Sequence, residues 1–191
     1  MIFRFLIILI TIFPLKSFAL IEVDITRGNL NPLPMAVSPL SMDKSSKKEF
    51  KDILNQDDLG SKISEIVENN LKQSGLFNPL DKDAFLQKPD IAHLKPRFED
   101  WALIKAQALI TGKVTYADEK LRVEFRLWDV LAAKEIMALA FTTVPSNWRR
   151  VGHIITDKVY ERLTGEKGYF DTRVIYVAEE GPKTKRIKKL A

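Results

Sequence analysis

From Ala108 onward the apolar positions recur at every second residue. Ala108, Ile110, Gly112, Val114 and Tyr116 fall on one side of an extended chain. Asp118-Glu119-Lys120 turns it back, and Leu121, Val123, Phe125 and Leu127 then alternate with Arg122, Glu124, Arg126 and Trp128. After a second turn near Ala132-Ala133, Ile136 to Val144 reads as a third strand, stopped by Pro145. The pattern predicts an antiparallel meander with one apolar and one largely polar face. On both sides of it the period becomes helical. Trp148, Val151, Ile154, Ile155, Val159 and Leu163 share one helical face, with Ser146 able to cap the start and Gly165 able to take the left-handed position at the end. Upstream, Leu59, Ile63, Ile66, Val67 and Leu71 form a second stripe, capped by Asp57 or Asp58 and closed at Gly75. A shorter helix opens near Pro96 and carries Phe98, Trp101, Ala102 and Ile104 or Lys105.

The remaining stretches are less regular. Ile21, Val23 and Ile25 alternate with Glu22, Asp24 and Thr26, a half-buried strand pattern, and Gly28 to Pro34 is a turn or extended linker. Met35 to Leu40 is a short strand that Pro39 places at a sheet edge or at a strand terminus. Ser41 to Asn55 reads as a lysine-rich surface loop with room for one helical turn. Leu76 to Leu80 reads as a chain reversal with a large apolar payload, and Asp90 to Lys95 as a loop. Tyr169 to Val177 alternates again and reads as a strand. The order strand, strand, helix, helix, three strands, helix is that of an α+β two-layer sandwich. It has a mixed sheet and helices on the apolar face only, because Arg122, Glu124 and Arg126 require water on the other.

Composition adds a compartment. The first nineteen residues hold Arg4, an apolar run from Phe5 to Phe13 broken only by Thr11, and the small-x-small triplet Ser17-Phe18-Ala19, which together read as a signal peptide cut between Ala19 and Leu20. The run is shorter than the ~20 residues of a spanning helix, so no transmembrane segment is expected in the mature chain. There is no cysteine, which removes disulfides, thiol catalysis and thiolate metal sites. The formal net charge is +5; losing Arg4 and Lys16 leaves +3, and setting aside Lys183, Lys185, Arg186, Lys188 and Lys189 leaves −2. The basic character therefore belongs to the tail, and a solvated end explains it better than a nucleic-acid site.

Catalytic patterns are missing. His93 and His153 lack partners at metal-ligand spacing and read as structural or surface residues. Asp57-Asp58 and Glu99-Asp100 sit at helix starts, where the helix dipole favours anions. Trp101, Trp128 and Trp148 read as core or interface anchors. No catalytic residue, metal site or cofactor is expected, and the residues alone point to an exported, non-catalytic α+β module.

Specific stretches carry a resemblance. Leu71-Lys72-Gln73-Ser74-Gly75-Leu76-Phe77-Asn78-Pro79-Leu80-Asp81, Thr111 to Val114, Glu124 to Val130, and the long run from Trp148 to Val177 resemble, in order, the TolB family, the periplasmic component of the Tol–Pal system. The resemblance implies an N-terminal α/β domain, similar to the anticodon-binding domain of class II tRNA synthetases, followed by a six-bladed β-propeller. It divides this chain into a signal peptide (1–19), a TolA-binding segment (20–33), the α/β domain (34–167) and the start of an incomplete propeller (168–191). It also implies that Ile21, Glu22, Val23, Asp24, Ile25 and Gly28 contact the C-terminal domain of TolA. Docking of an alternating strand on a partner's sheet edge fits that role. The family binds Pal through the propeller, so no Pal contact is expected of this polypeptide. The alternative is a free-standing exported module that uses the basic tail for an unrelated ligand.

Overall fold

The structure is a computed structural model; it describes residues 21, 31–172, 175, 177–182 and 184–190. Its strands are β1 (Leu33–Val37), β2 (Ser41–Met42), β3 (Phe77–Pro79), β4 (Ala108–Ala117), β5 (Lys120–Asp129), β6 (Lys134–Thr143), β7 (Val177–Glu180) and β8 (Ile187–Leu190). The helices are α1 (Lys44–Leu54), α2 (Leu59–Gln73), α3 (Pro89–Ala92), α4 (Phe98–Leu103) and α5 (Trp148–Thr164).

The main sheet runs β3-β1-β4-β5-β6 and is mixed. β1 is parallel to β3 and β4, and β4, β5 and β6 form the expected antiparallel meander. The β4–β5 loop is two residues, and both Asp118 (φ 50) and Glu119 (φ 59) take positive φ, the backbone of a type I′ hairpin. β2 prolongs β1 along β4: Val37 pairs with Ile110 and Ser41 with Lys113. Four steps on one strand thus match three on the other, and the surplus falls at Ser38-Pro39-Leu40. Pro39 does mark a strand terminus, but β1 itself is interior to the sheet.

The α+β sandwich with a mixed sheet is as the periodicity predicts. α2 and α5 lie on the face carrying Val37, Ile110, Val114, Val123, Phe125 and Leu127, and Ile63, Val67, Ile155 and Val159 complete that core, each at most 3% exposed. The expectation of helices on one face only needs correction. At the β1–β4 end the reverse face is covered too: Ala36 and Leu109 pack with Ala92, Trp101, Ala106 and Val130 in a second core. Arg122, Glu124 and Arg126 lie further along β5, where that cover has ended, so they keep their water.

Other corrections follow from local chemistry. Ser41 to Asn55 is not a loop. Asp43 accepts a hydrogen bond from the Ser46 amide (2.7 Å), α1 follows, and Asn55 closes it in the left-handed region (φ 52). Phe50 is fully buried against Tyr116 (centroids 5.4 Å apart, edge to face), and the Ser46 hydroxyl accepts from the Tyr116 amide. Leu76 to Leu80 contains β3, a parallel edge strand, and Asp90 to Lys95 overlaps α3. Ser146 does not cap α5: Pro145–Asn147 forms a 3₁₀ turn, and Asn147 precedes the helix without a side-chain cap. Of the strand expected over Tyr169 to Val177, Tyr169 to Thr172 form no strand and Arg173, Val174 and Tyr176 lie outside the described residues; β7, from Val177, pairs with β8 in a separate two-stranded sheet.

Candidate partner-docking site

Of the residues expected to contact a partner, Ile21 is half-buried and packs on the main core. Glu22, Val23, Asp24, Ile25 and Gly28 lie outside the described residues, as do Ala19 and Leu20. From Leu33 the chain is committed to the sheet, its amide donating to the Leu76 carbonyl (2.9 Å).

The far end of the domain holds a built arrangement that the sequence reading missed. α5 ends at Gly165 in the left-handed region (φ 76), and the chain then folds back along the helix. Asp157, one helical turn before Glu161, grips the returning strap. Its two carboxylate oxygens accept from the Phe170 amide (2.7 Å) and the Asp171 amide (3.1 Å). Arg150 closes the strap with a bidentate pair to Asp171, Nε to Oδ1 at 3.1 Å and Nη2 to Oδ2 at 3.1 Å, which raises the guanidinium pKa further. Gly168 allows the approach, since a Cβ there would stand 2.4 Å from Asp157 Oδ1. Tyr160 is the apolar anchor: Phe77, Tyr169 and Phe170 all meet its ring edge to face, at 5.6–6.2 Å, and burial, then Tyr169 and Glu166, pushes its phenol pKa up. The only sequence signal was the second glycine after the helix end; Asp157 sat on the polar face, among the solvated charges. What this geometry does is fix the path by which the chain leaves α5.

The other candidates resolve into structural roles. His153 Nδ1 lies 2.9 Å from Asn70 Nδ2, which also reaches Thr156 Oγ1 (3.1 Å), so the group ties α5 to α2. His93 follows α3 and lines a cleft of about 280 Å³ with Leu94, Lys113, Thr115, Glu124 and Arg126. Asp58 caps α2 through the Ser61 amide, and Glu99 and Asp100 occupy the first turn of α4. Trp101 Nε1 donates to Gln87 Oε1 (3.0 Å) and Trp128 Nε1 to Thr111 Oγ1 (2.9 Å); Trp148 is 7% exposed beneath the Arg149 guanidinium. In the tail, Glu179 pairs with Arg186 and Lys188, and Glu180 with Lys189. These contacts hold the Glu179 carboxyl below its ordinary pKa, Arg186 first. Three of the five tail cations therefore face two carboxylates within the β7–β8 hairpin; Lys183 lies outside the described residues. Among the described residues no helix is long and apolar enough to cross a membrane, and no three His, Asp or Glu side chains gather as metal ligands.

The domain is thus an α+β mixed sheet whose polar groups described above serve packing and chain path. The family model for the TolB amino-terminal domain matches residues 21–136. Over all 191 residues the chain is 82% identical to the Tol-Pal system protein TolB of Pelagibacter ubique (strain HTCC1062), of which it spans 43%. The crystal structure of TolB from Acinetobacter baumannii shares the fold, with a TM-score of 0.64 at 21% identity, covering 90% of this chain and 39% of that one. The chain belongs to the TolB family.

Proposed function

We propose that this chain is a periplasmic adaptor of the Tol–Pal type. It is exported by residues 1–19, cut after Ala19, and docks on the C-terminal domain of TolA through residues 20–33. Ile21, Glu22, Val23, Asp24, Ile25 and Gly28 make the contact, with the alternating side chains laid along a partner strand. The role that follows is non-enzymatic: maintenance of the outer membrane and its constriction during division. The observation that carries this reading is family membership, with 82% identity to a Tol-Pal system protein along the whole chain. One feature of the structure supports it: Ile21, the one described residue of those six, is apolar and half-buried, packed on the main core. No Pal contact is assigned to residues 1–191; it belongs to the remaining length of a whole TolB.

The test is capture of the mature chain by immobilised TolA C-terminal domain, with and without residues 20–33. Capture that disappears with the segment supports the assignment. Equal capture would reject the segment, and no capture by the intact chain would reject the adaptor itself.

A further inference from the structure

α1 breaks two rules of helix electrostatics with the same residues. Lys44, Lys47, Lys48 and Lys51 are all exposed. At 3.6 residues per turn they share an arc of about 100° and a stripe about 10 Å long. Every neighbour relation within the set is like-charged. Lys44 with Lys47 and Lys48 with Lys51 stand at i,i+3, Lys44 with Lys48 and Lys47 with Lys51 at i,i+4, and each such pair destabilises the helix. The stripe also starts at the positive pole of the helix dipole: Lys44 is the first helical residue and no acid follows in the first turn. Among the described residues none of the four pairs with a carboxylate, whereas Lys158 reaches Glu161 (2.9 Å) and Lys82 reaches Glu68 (2.9 Å). Glu49 and Asp52, the acids of α1, lie to one side of the stripe. The helix beneath is fixed, since Phe50 is fully buried and the Ser46 hydroxyl accepts from the Tyr116 amide (3.0 Å). Outside α1, acids and bases nearly balance from Leu33 to Thr164.

We propose that the lysine stripe of α1 is an electrostatic docking face for an anionic phospholipid surface. Chains break a local rule where function requires it, and here one set of residues breaks two. An anionic counter-surface removes both penalties at once, by neutralising the repulsion along the stripe and the cations at the dipole's positive pole. The kind of side chain selects the lipid. Protein interfaces are anchored on aromatic residues and arginine and are depleted of lysine. The stripe is lysine alone, and the exposed apolar residue of α1, Ile53 (47% exposed), lies on the far side of the helix from it. Lysine is a point charge on a flexible stem that needs no fixed partner geometry, which suits a fluid field of headgroups. The apolar side of α1 is spent on the core, through Phe50, so the helix lies on the surface without entering it. Binding is therefore weak, reversible and sensitive to salt. The choice of lipid rests on the export reading above, which capture by TolA tests separately.

The test is co-sedimentation of the mature chain with vesicles of phosphatidylglycerol and phosphatidylcholine in equal parts. Binding is expected to these and not to phosphatidylcholine alone, and should fall steadily as salt rises from about 0.05 M to about 0.5 M. Lys47→Gln should weaken it roughly fivefold. Replacing all four lysines by glutamine should bring it to the level of phosphatidylcholine alone, with a melting temperature unchanged or raised, because the repulsions are gone. Lys48→Glu combined with Asp52→Lys keeps the net charge and breaks the stripe, and should weaken binding at least as much as Lys47→Gln. Neutralising Lys183, Lys185, Arg186, Lys188 and Lys189 should leave most of the binding in place. No binding to the anionic vesicles at low salt overturns the proposal, and so does binding that survives loss of the four lysines but not loss of the tail charges. Binding of poly-glutamate through the stripe, with the vesicles ignored, would overturn it in favour of an acidic protein partner. A lowered melting temperature in the four-glutamine variant would overturn its electrostatic premise.

Discussion

Replacing Asp157 by alanine should free the strap without unfolding the domain. The carboxylate accepts two backbone hydrogen bonds, at 2.7 and 3.1 Å. Bonds to a charged group contribute about 1.5–3 kcal/mol each. Asp157 is half-buried, which argues for the lower value, and the freed strap regains about 1–2 kcal/mol of backbone entropy per loosened residue. Tyr169 and Phe170 keep their contacts with Tyr160, and the exposed Arg150–Asp171 pair adds little. The balance is a local opening made easier by about 1–2 kcal/mol. Since about 1.4 kcal/mol is a factor of ten, native-state hydrogen exchange at the Phe170 and Asp171 amides should quicken roughly tenfold. Exchange in β4 and β5 should stay as it was, because Asp157 holds the strap to α5, where its rings meet Tyr160. Asp157→Asn, with one oxygen left to accept, should fall between. Unchanged exchange at Phe170 and Asp171 in the alanine variant would refute the grip, and loss of the whole domain would show the strap to be part of the core instead.

Other expectations follow from close packing and capping. Gly60 stands where a Cβ would lie 2.1 Å from the Leu40 carbonyl oxygen, so Gly60→Ala must push α2 off the sheet and should cost about 3 kcal/mol in urea unfolding. Gln87, 4% exposed, accepts from both Trp101 Nε1 and the Arg97 amide; Gln87→Leu orphans both donors, should cost about 1–3 kcal/mol and should shift tryptophan emission. The Asp43 carboxyl is held below its ordinary pKa, chiefly by the Ser46 amide and against burial, so its cap stabilises α1 above the unfolded-state carboxyl pKa and is lost as pH falls through the lower folded value. Asp43→Ala should therefore cost about 1 kcal/mol at neutral pH and remove that acid-side slope in a series of urea melts. Ile175 and Val177 are 73% and 57% exposed, and their amides should exchange faster than those of β4.

The meander and the two long helices could be read from the chain because each repeats its period over ten residues or more, so one odd position does not hide the pattern. α1 escaped because only Phe50 and Ser46 on it are buried, and serine carries no apolar signal. β3 escaped because three residues that include Asn78 and Pro79 look like a turn; only its parallel neighbour β1 makes it a strand. The second core was hidden by its small members: Ala36, Ala92 and Ala106 mark no face until Trp101 is seen lying on them. The strap was the least legible feature. Asp157 makes its bonds to backbone amides thirteen and fourteen residues away, and no side-chain pattern records those. The family, by contrast, was legible in ordered motifs from Leu71 to Val177, and the match over residues 21–136 rests on the same domain.

The central claim concerns residues 20–33, and calorimetric titration addresses it most directly. A synthetic peptide spanning Leu20 to Leu33 and the mature chain, each titrated into TolA C-terminal domain, should bind with affinities within about tenfold of each other, or roughly 1.4 kcal/mol. The chain lacking those residues should give no heat of binding. Full affinity in the shortened chain, together with a silent peptide, would contradict the account.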